Sequence, residues 1–296
     1  MQTLRKILLF LTAAGMISGC TKNKPEPSIP QAGAELAVLK MQCAGYQDGM
    51  ITLVKDKITL KLKNQSTFAR INEVPVTLSS SSKVDSKGIW NLSGTVVRSQ
   101  LLPVVDDRRF PIRKIVIDPG HGGYERGAVS VHGTDEKKLN LLLALDIAAE
   151  LKKNGFEVYL TRKNDRFIPL AARPDIAAKL QADLFVSIHH NSSTRSGAAG
   201  LEIFTLNCLD ENEIEISGNS SNLASHLYRN LVSLNCFPGR GIKSARFKVL
   251  RLAKCPAILV ETGFLSNPAE AALVETPFFR REFSGIFART IADFVR

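Results

Sequence analysis

From residue 114 onward, two kinds of apolar pattern alternate along the chain. Unbroken apolar runs at 115–119, 156–160, 184–188, 201–204 and 257–260 read as strands buried on both faces. Between the first two, Leu139, Leu142, Leu143, Ile147 and Leu151 fall on one helical face. That spacing predicts a helix over 136–153, with Asp135 as its cap and Asn154-Gly155 as its stop. Further helices are expected over 170–180, 221–234 and 284–295, and a further strand at 247–250. Strands and helices in alternation predict an α/β fold, a mostly parallel sheet flanked by helices on both faces. Residues 35–105 differ. Their short alternating stretches at 51–54 and 58–62, with turns at Asp48-Gly49 and Lys87-Gly88, predict a small β-rich domain preceding the α/β one. The charged, proline-containing stretch 106–113 reads as a linker, which leaves 114–296 as the main domain.

The first twenty residues stand outside this pattern. Arg5 and Lys6 precede an apolar run at 7–17 that is short for a bilayer span, and Ile17-Ser18-Gly19-Cys20 closes it with small residues before a cysteine. This resembles a bacterial lipoprotein signal, which implies export, lipidation of Cys20 and a mature chain anchored at the periplasmic face of the envelope. Residues 21–34 begin polar and proline-rich and read as a tether. The formal net charge of +11 suits an exported protein drawn to anionic wall polymer or lipid head groups. Nucleic acid is not expected as a partner, because the Lys and Arg are scattered and the chain leaves the cytoplasm. Cys43, Cys208, Cys236 and Cys255 show no zinc-ribbon spacing, and they are as compatible with free thiols as with bridges.

The chemistry sits where the strands end. Gly120-His121-Gly122-Gly123 follows the 115–119 run directly, placing an imidazole on a glycine loop at the carboxyl edge of the sheet. Asp135 and Glu136 open the first helix, His189-His190 ends a second strand, and Glu261 ends a third with Gly263 beside it. Amide hydrolysis needs a polarised carbonyl, an activated water and a proton for the leaving nitrogen. A zinc ion on three protein ligands supplies the first two, and a neighbouring carboxylate the third. The residues therefore offer two imidazoles and two carboxylates: one ligand set and one base.

The strings 117–123, Glu136 with Lys137, Leu139, Asn140 and Leu141, 187–191 and 260–267 resemble, in this order, the zinc-dependent N-acetylmuramoyl-L-alanine amidases of bacterial cell walls. The resemblance covers 114–296. It implies zinc on His121, Glu136 and His189, with Glu261 as catalytic acid/base. The implied substrate is peptidoglycan, its fragments or its lipid-linked precursor, cut between N-acetylmuramic acid and L-Ala of the stem peptide. The same chemistry would serve a zinc carboxypeptidase or endopeptidase cutting within the stem, and an inactive fold would serve as a wall-binding protein. Strand alternation puts His189 and His190 on opposite faces without choosing between them; the resemblance selects His189. Asn191 is a candidate substrate contact, Asn267 a turn former, and Asp118 either orients His121 or caps its loop. Arg162 and Arg173 are expected to hold loops, and His132 and His226 to be structural. The family's regulated division enzymes carry a long helical insertion after the second histidine. The polar segment 207–220 is short, so no occluding plug and no obligatory activator are expected. In the β-rich domain, 72–78 and 89–92 resemble the small module related to the copper amine oxidase N-terminal domain; no histidine precedes His121, so copper is not implied.

Overall fold

The computed structural model describes residues 31–296; the expected leader, Cys20 and residues 21–30 of the tether lie outside the described residues. β1 (Gln31–Ala32) and α1 (Ala34–Ala37) lead into an antiparallel meander of β2 (Gln42–Gln47), β3 (Met50–Lys55), β4 (Ile58–Lys63), β5 (Ser66–Ile71) and β6 (Val74–Val84). β7 (Ile89–Asn91) pairs with β6 and β1. The hairpin turns carry positive φ at both central residues, 52° and 72° at Asp48-Gly49, 47° and 65° at Asn72-Glu73, which matches the twist of the flanking strands. One face of the meander is apolar and buried (Ile51, Leu53, Leu60, Leu62, Ala69, Ile71, Val76). The intervening residues Thr52, Lys61, Phe68, Arg70 and Thr77 keep solvent exposure.

That buried face is closed by α2 (Gly94–Val96), a π-helical turn (Val97–Leu101) and α3 (Leu102–Val105). The expected linker 106–113 carries no helix or strand. Trp90 is fully buried here, with Tyr46 edge-on at 6.0 Å between ring centroids. Trp90→Ala is expected to cost about 3–5 kcal/mol of stability, read as a lower denaturant midpoint. A shift equivalent to less than about 1 kcal/mol would show that the site collapses without penalty.

The remainder runs β8 (Lys114–Pro119), α4 (Glu136–Lys153), β9 (Glu157–Leu160), α5 (Ala172–Lys179), β10 (Leu184–Asn191) and β11 (Leu201–Leu206). It continues with a 3₁₀ turn (Glu211–Glu213), α6 (Ile214–Val232), β12 (Gly239–Ala245), α7 (Lys248–Arg251), β13 (Ala257–Phe264), α8 (Pro268–Val274) and α9 (Pro277–Phe294). The sheet order is β2-β3-β4-β5-β6-β12-β11-β13-β10-β8-β9. From β6 to β9 the pairs are parallel except β11 with β13. α4, α6 and α9 pack together on one face, while α5 and α7 close a second core of Val116, Phe185, Leu206, Val249, Leu250 and Leu259 on the other. The expected α/β architecture, a mostly parallel sheet flanked by helices with a β-rich region ahead of it, is what the chain adopts.

Three local expectations are corrected. Residues 247–250 are not a strand; 248–251 form α7, a single turn whose Val249 and Leu250 plug the second core. The strand lies earlier, at β12. α6 begins at Ile214 rather than near 221, because Ser217, Gly218 and Ser220 pack inward as small residues rather than as an apolar stripe. α9 begins at Pro277 rather than 284, with the Thr276 hydroxyl accepting from the Phe279 N–H and proline pre-set in the first turn. Asp135 does occupy the cap position of α4, but its carboxylate binds Arg126 at 2.6 Å rather than a helix N–H.

The two halves share one sheet. β6 pairs in parallel with β12 at Val76 and Ile242. Gly241, at φ 93°, lets the strands close; a Cβ there would strike the carbonyl oxygen of Pro75. Among the described residues, no helix is long and apolar enough to cross a membrane.

Candidate metal centre and cleft

β8, β10 and β13 lie side by side, so residues ending β8 and β10 share a rim. Beyond Pro119 the chain turns into the left-handed region at His121, φ 60°, a conformation uncommon for a residue with a side chain. The surrounding hydrogen bonds hold it there. Arg173 Nη2 donates to the His121 carbonyl at 2.9 Å, and its Nη1 donates to the Pro119 carbonyl and to Asp118 Oδ1, both at 2.9 Å. Arg162 donates to the Pro119 carbonyl at 3.0 Å and the Gly120 carbonyl at 2.8 Å. Both guanidiniums are 1% exposed. Asp118 is fully buried and also accepts from Thr161 at 2.6 Å and Ser187 at 2.9 Å. It therefore acts on His121 through Arg173, not by touching the imidazole. Gly120 is required for a different reason: any Cβ there would fall on the His189 ring.

Glu136, the first residue of α4, reaches back over the rim and is nearly buried. Its Oε1 lies 2.9 Å from His189 Nδ1 and accepts from Asn140 Nδ2 at 3.1 Å. Its Oε2 lies 3.2 Å from His121 Nε2 and accepts from the Ala128 N–H at 2.9 Å. Burial alone would raise its pKa, but the hydrogen bonds from His121 and His189 outweigh this and hold the carboxyl well below the usual range. One donor atom each from His121, Glu136 and His189 falls within 4.8 Å of the others. Two imidazoles and an ionised carboxylate in that space match the ligand set of an open zinc site. His190 points to the opposite face, where its Nδ1 meets Asn140 Oδ1 at 2.8 Å and burial pushes its pKa down to about 4.

Glu261 stands on β13 directly opposite His189. Its Oε2 is buried without a hydrogen-bond partner, and burial pushes the carboxyl up to about 8. Both residues line a cleft of about 520 Å³ with His121 and Asp118. Leu170 and Phe247, both partly exposed, form apolar walls, and Lys248 stands at the side. Across β11, Glu202 sits opposite Glu261, 2% exposed, neutralised by Arg240 and Lys243.

Asn191 is drawn into this group: its side-chain amide donates to Glu202 Oε2 at 3.1 Å. Asn267 caps α8, accepting from the Ala269 and Glu270 N–H groups. His132 pairs with Glu275 and His226 with Asp107, both away from the cleft. Cys43, Cys208, Cys236 and Cys255 are free thiols. Sequence pattern alone assigns no role at the site to Glu202 or Asn140. The signal for Glu202 was present, since one acid inside the apolar run 201–204 has to be buried and paired.

Residues 115–293 match a protein-family model described as N-acetylmuramoyl-L-alanine amidase. Among curated proteins, the chain is similar to the N-acetylmuramoyl-L-alanine amidase AmiA of Salmonella typhimurium. The two are 33% identical over 219 residues, covering 62% of this chain and 76% of that protein. It is also similar to AmiA of Escherichia coli K12, 31% identical over 247 residues, covering 69% and 86%. Among solved structures, an N-acetylmuramoyl-L-alanine amidase from Clostridium difficile 630 superposes with a TM-score of 0.57 at 31% identity, covering 62% of this chain and 97% of that one.

Proposed function

Because the chain belongs to the N-acetylmuramoyl-L-alanine amidase family, we propose that it hydrolyses the amide between N-acetylmuramic acid and L-alanine in peptidoglycan. The observation that carries this reading is the convergence of His121, Glu136 and His189 beside the unpartnered carboxyl of Glu261. We assign His121, Glu136 and His189 as ligands of one zinc ion. Bound there, zinc supplies Lewis-acid polarisation of the amide carbonyl and activation of the attacking water.

The protein's own residues do the rest. Glu136 stays ionised between the two imidazoles and fixes their orientation. Arg162 and Arg173 lock the backbone of the His121 loop, so the imidazole is aimed before substrate arrives. Glu261 takes the proton from water and returns it to the leaving nitrogen, the exchange a buried carboxyl poised near neutrality suits. Leu170 and Phe247 give the cleft an apolar wall against which substrate can pack. Asn191 holds Glu202, the carboxylate opposite Glu261 on the neighbouring strand.

Digestion of purified peptidoglycan by residues 21–296 is expected to release peptides beginning with L-Ala, detected by mass spectrometry, and to stop in the presence of a zinc chelator. Shortened peptides still joined to muramic acid would instead place the cut inside the stem. We further propose that no activator is needed, because 207–213 passes from β11 to α6 without reaching the cleft lining. Activity of the purified chain alone tests this. Export, a lipid anchor on Cys20 and a site of action at the periplasmic face complete the reading. Palmitate labelling lost in Cys20→Ala tests the anchor.

A further inference from the structure

The sheet face that carries the cleft does not stop at the cleft. Glu261 is opposite Glu202 on β11, and Glu202 and Phe204 are opposite Gly241 and Lys243 on β12. Val76 and Ile242 pair on the buried face, so Pro75 and Thr77 share the other face with Gly241 and Lys243. The register then runs to Arg70 and Phe68 on β5, and from Arg70 to Lys61 on β4, with Lys63 two residues on. Among the described residues, the helices packed on the meander lie against its apolar side. Lys61, Lys63, Phe68, Arg70, Thr77 and Lys243 are all partly or fully exposed. Spacing between strands puts β5 about 19 Å from Glu261's strand.

We propose that this open face of β4, β5, β6 and β12 is a docking platform for the same polymer strand whose amide lies in the cleft. The proposal rests on the amidase reading above. Charge complementarity selects the occupant. Away from the cleft, Lys61 and Arg70 pair with Glu73 at the hairpin turn, Arg240 and Lys243 pair with the buried Glu202, and Lys63 adds a fifth cation. The surplus is positive, and stem peptides along the polymer carry free carboxylates. Phe68, with the Arg70 guanidinium 5.6 Å from its ring centroid, adds an apolar surface between the cations. The cations are spread along a line leading away from the cleft, the arrangement an extended strand needs rather than a compact ion.

The test is co-sedimentation of residues 21–296 with insoluble peptidoglycan, using Glu261→Gln throughout so that the polymer stays intact. Neutralising the ribbon (Lys61→Ala, Lys63→Ala, Arg70→Ala) is expected to weaken retention at least fivefold at 0.15 M salt, with an unchanged melting temperature. Removing the same charge elsewhere (Lys152→Ala, Lys179→Ala, Lys254→Ala) is expected to leave retention intact. Equal losses from both triples would reduce the effect to net charge and overturn the platform. So would stronger ribbon-dependent retention on anionic phospholipid vesicles than on peptidoglycan. In a parallel digest with Glu261 kept, failure to cut polymer that the ribbon retains would leave the platform standing and remove the amidase reading.

Discussion

Glu261→Gln is expected to lower kcat by about a thousandfold, within the range that loss of one acid–base group produces. Glutamine fills the same volume beside His189 and can still accept a hydrogen bond, but it cannot take a proton from water. The cleft should therefore keep its shape and its ligand set. Zinc content, measured by elemental analysis after dialysis, should remain one per chain, and KM should move far less than kcat. A variant retaining a tenth or more of the activity would remove Glu261 from the proton path. The unpartnered Oε2 would then need another account.

Glu136→Gln is expected to abolish both turnover and metal retention, which distinguishes it from the first variant. The carboxylate supplies the only negative charge among the three clustered donors, and each oxygen faces a different imidazole. An amide puts its nitrogen against one of the two rings. Loss of a hydrogen-bond partner behind a metal ligand typically costs 10- to 100-fold in affinity. Loss of a ligand's charge should exceed that, to more than 100-fold by competition with a chromophoric chelator. The fold should survive, because Arg162 and Arg173 hold the Gly120–His121 backbone independently of Glu136. Retention of tightly bound zinc at unchanged affinity would reassign the site.

The parts of this arrangement legible in the chain are those where two signals agree. At 115–123 a buried apolar run meets a glycine–histidine loop, and at 135–136 a polar position meets the start of a periodic face; strand and helix begin there, although the Asp135 carboxylate binds Arg126 instead of capping. β12 was missed because Gly239, Arg240, Gly241, Lys243 and Ser244 alternate without a continuous apolar run, as expected of a strand with one open face. The apolar Phe247–Leu250 stretch has the stronger strand pattern, yet its short length suits a plug equally well. Nothing in the order of residues announces that Val76 will meet Ile242, since strand pairing across such a separation is set by packing of the whole domain.

That long-range pairing also leaves β6 dependent on a distant segment. The β2–β6 meander lies far ahead of β12 in the chain, so until β12 docks, β6 presents an edge at Val76 open to stray strands. Pro75, beside the pairing point, offers no N–H to an intruder. This particular edge disappears once β12 pairs and the Gly241 backbone closes over the Pro75 carbonyl.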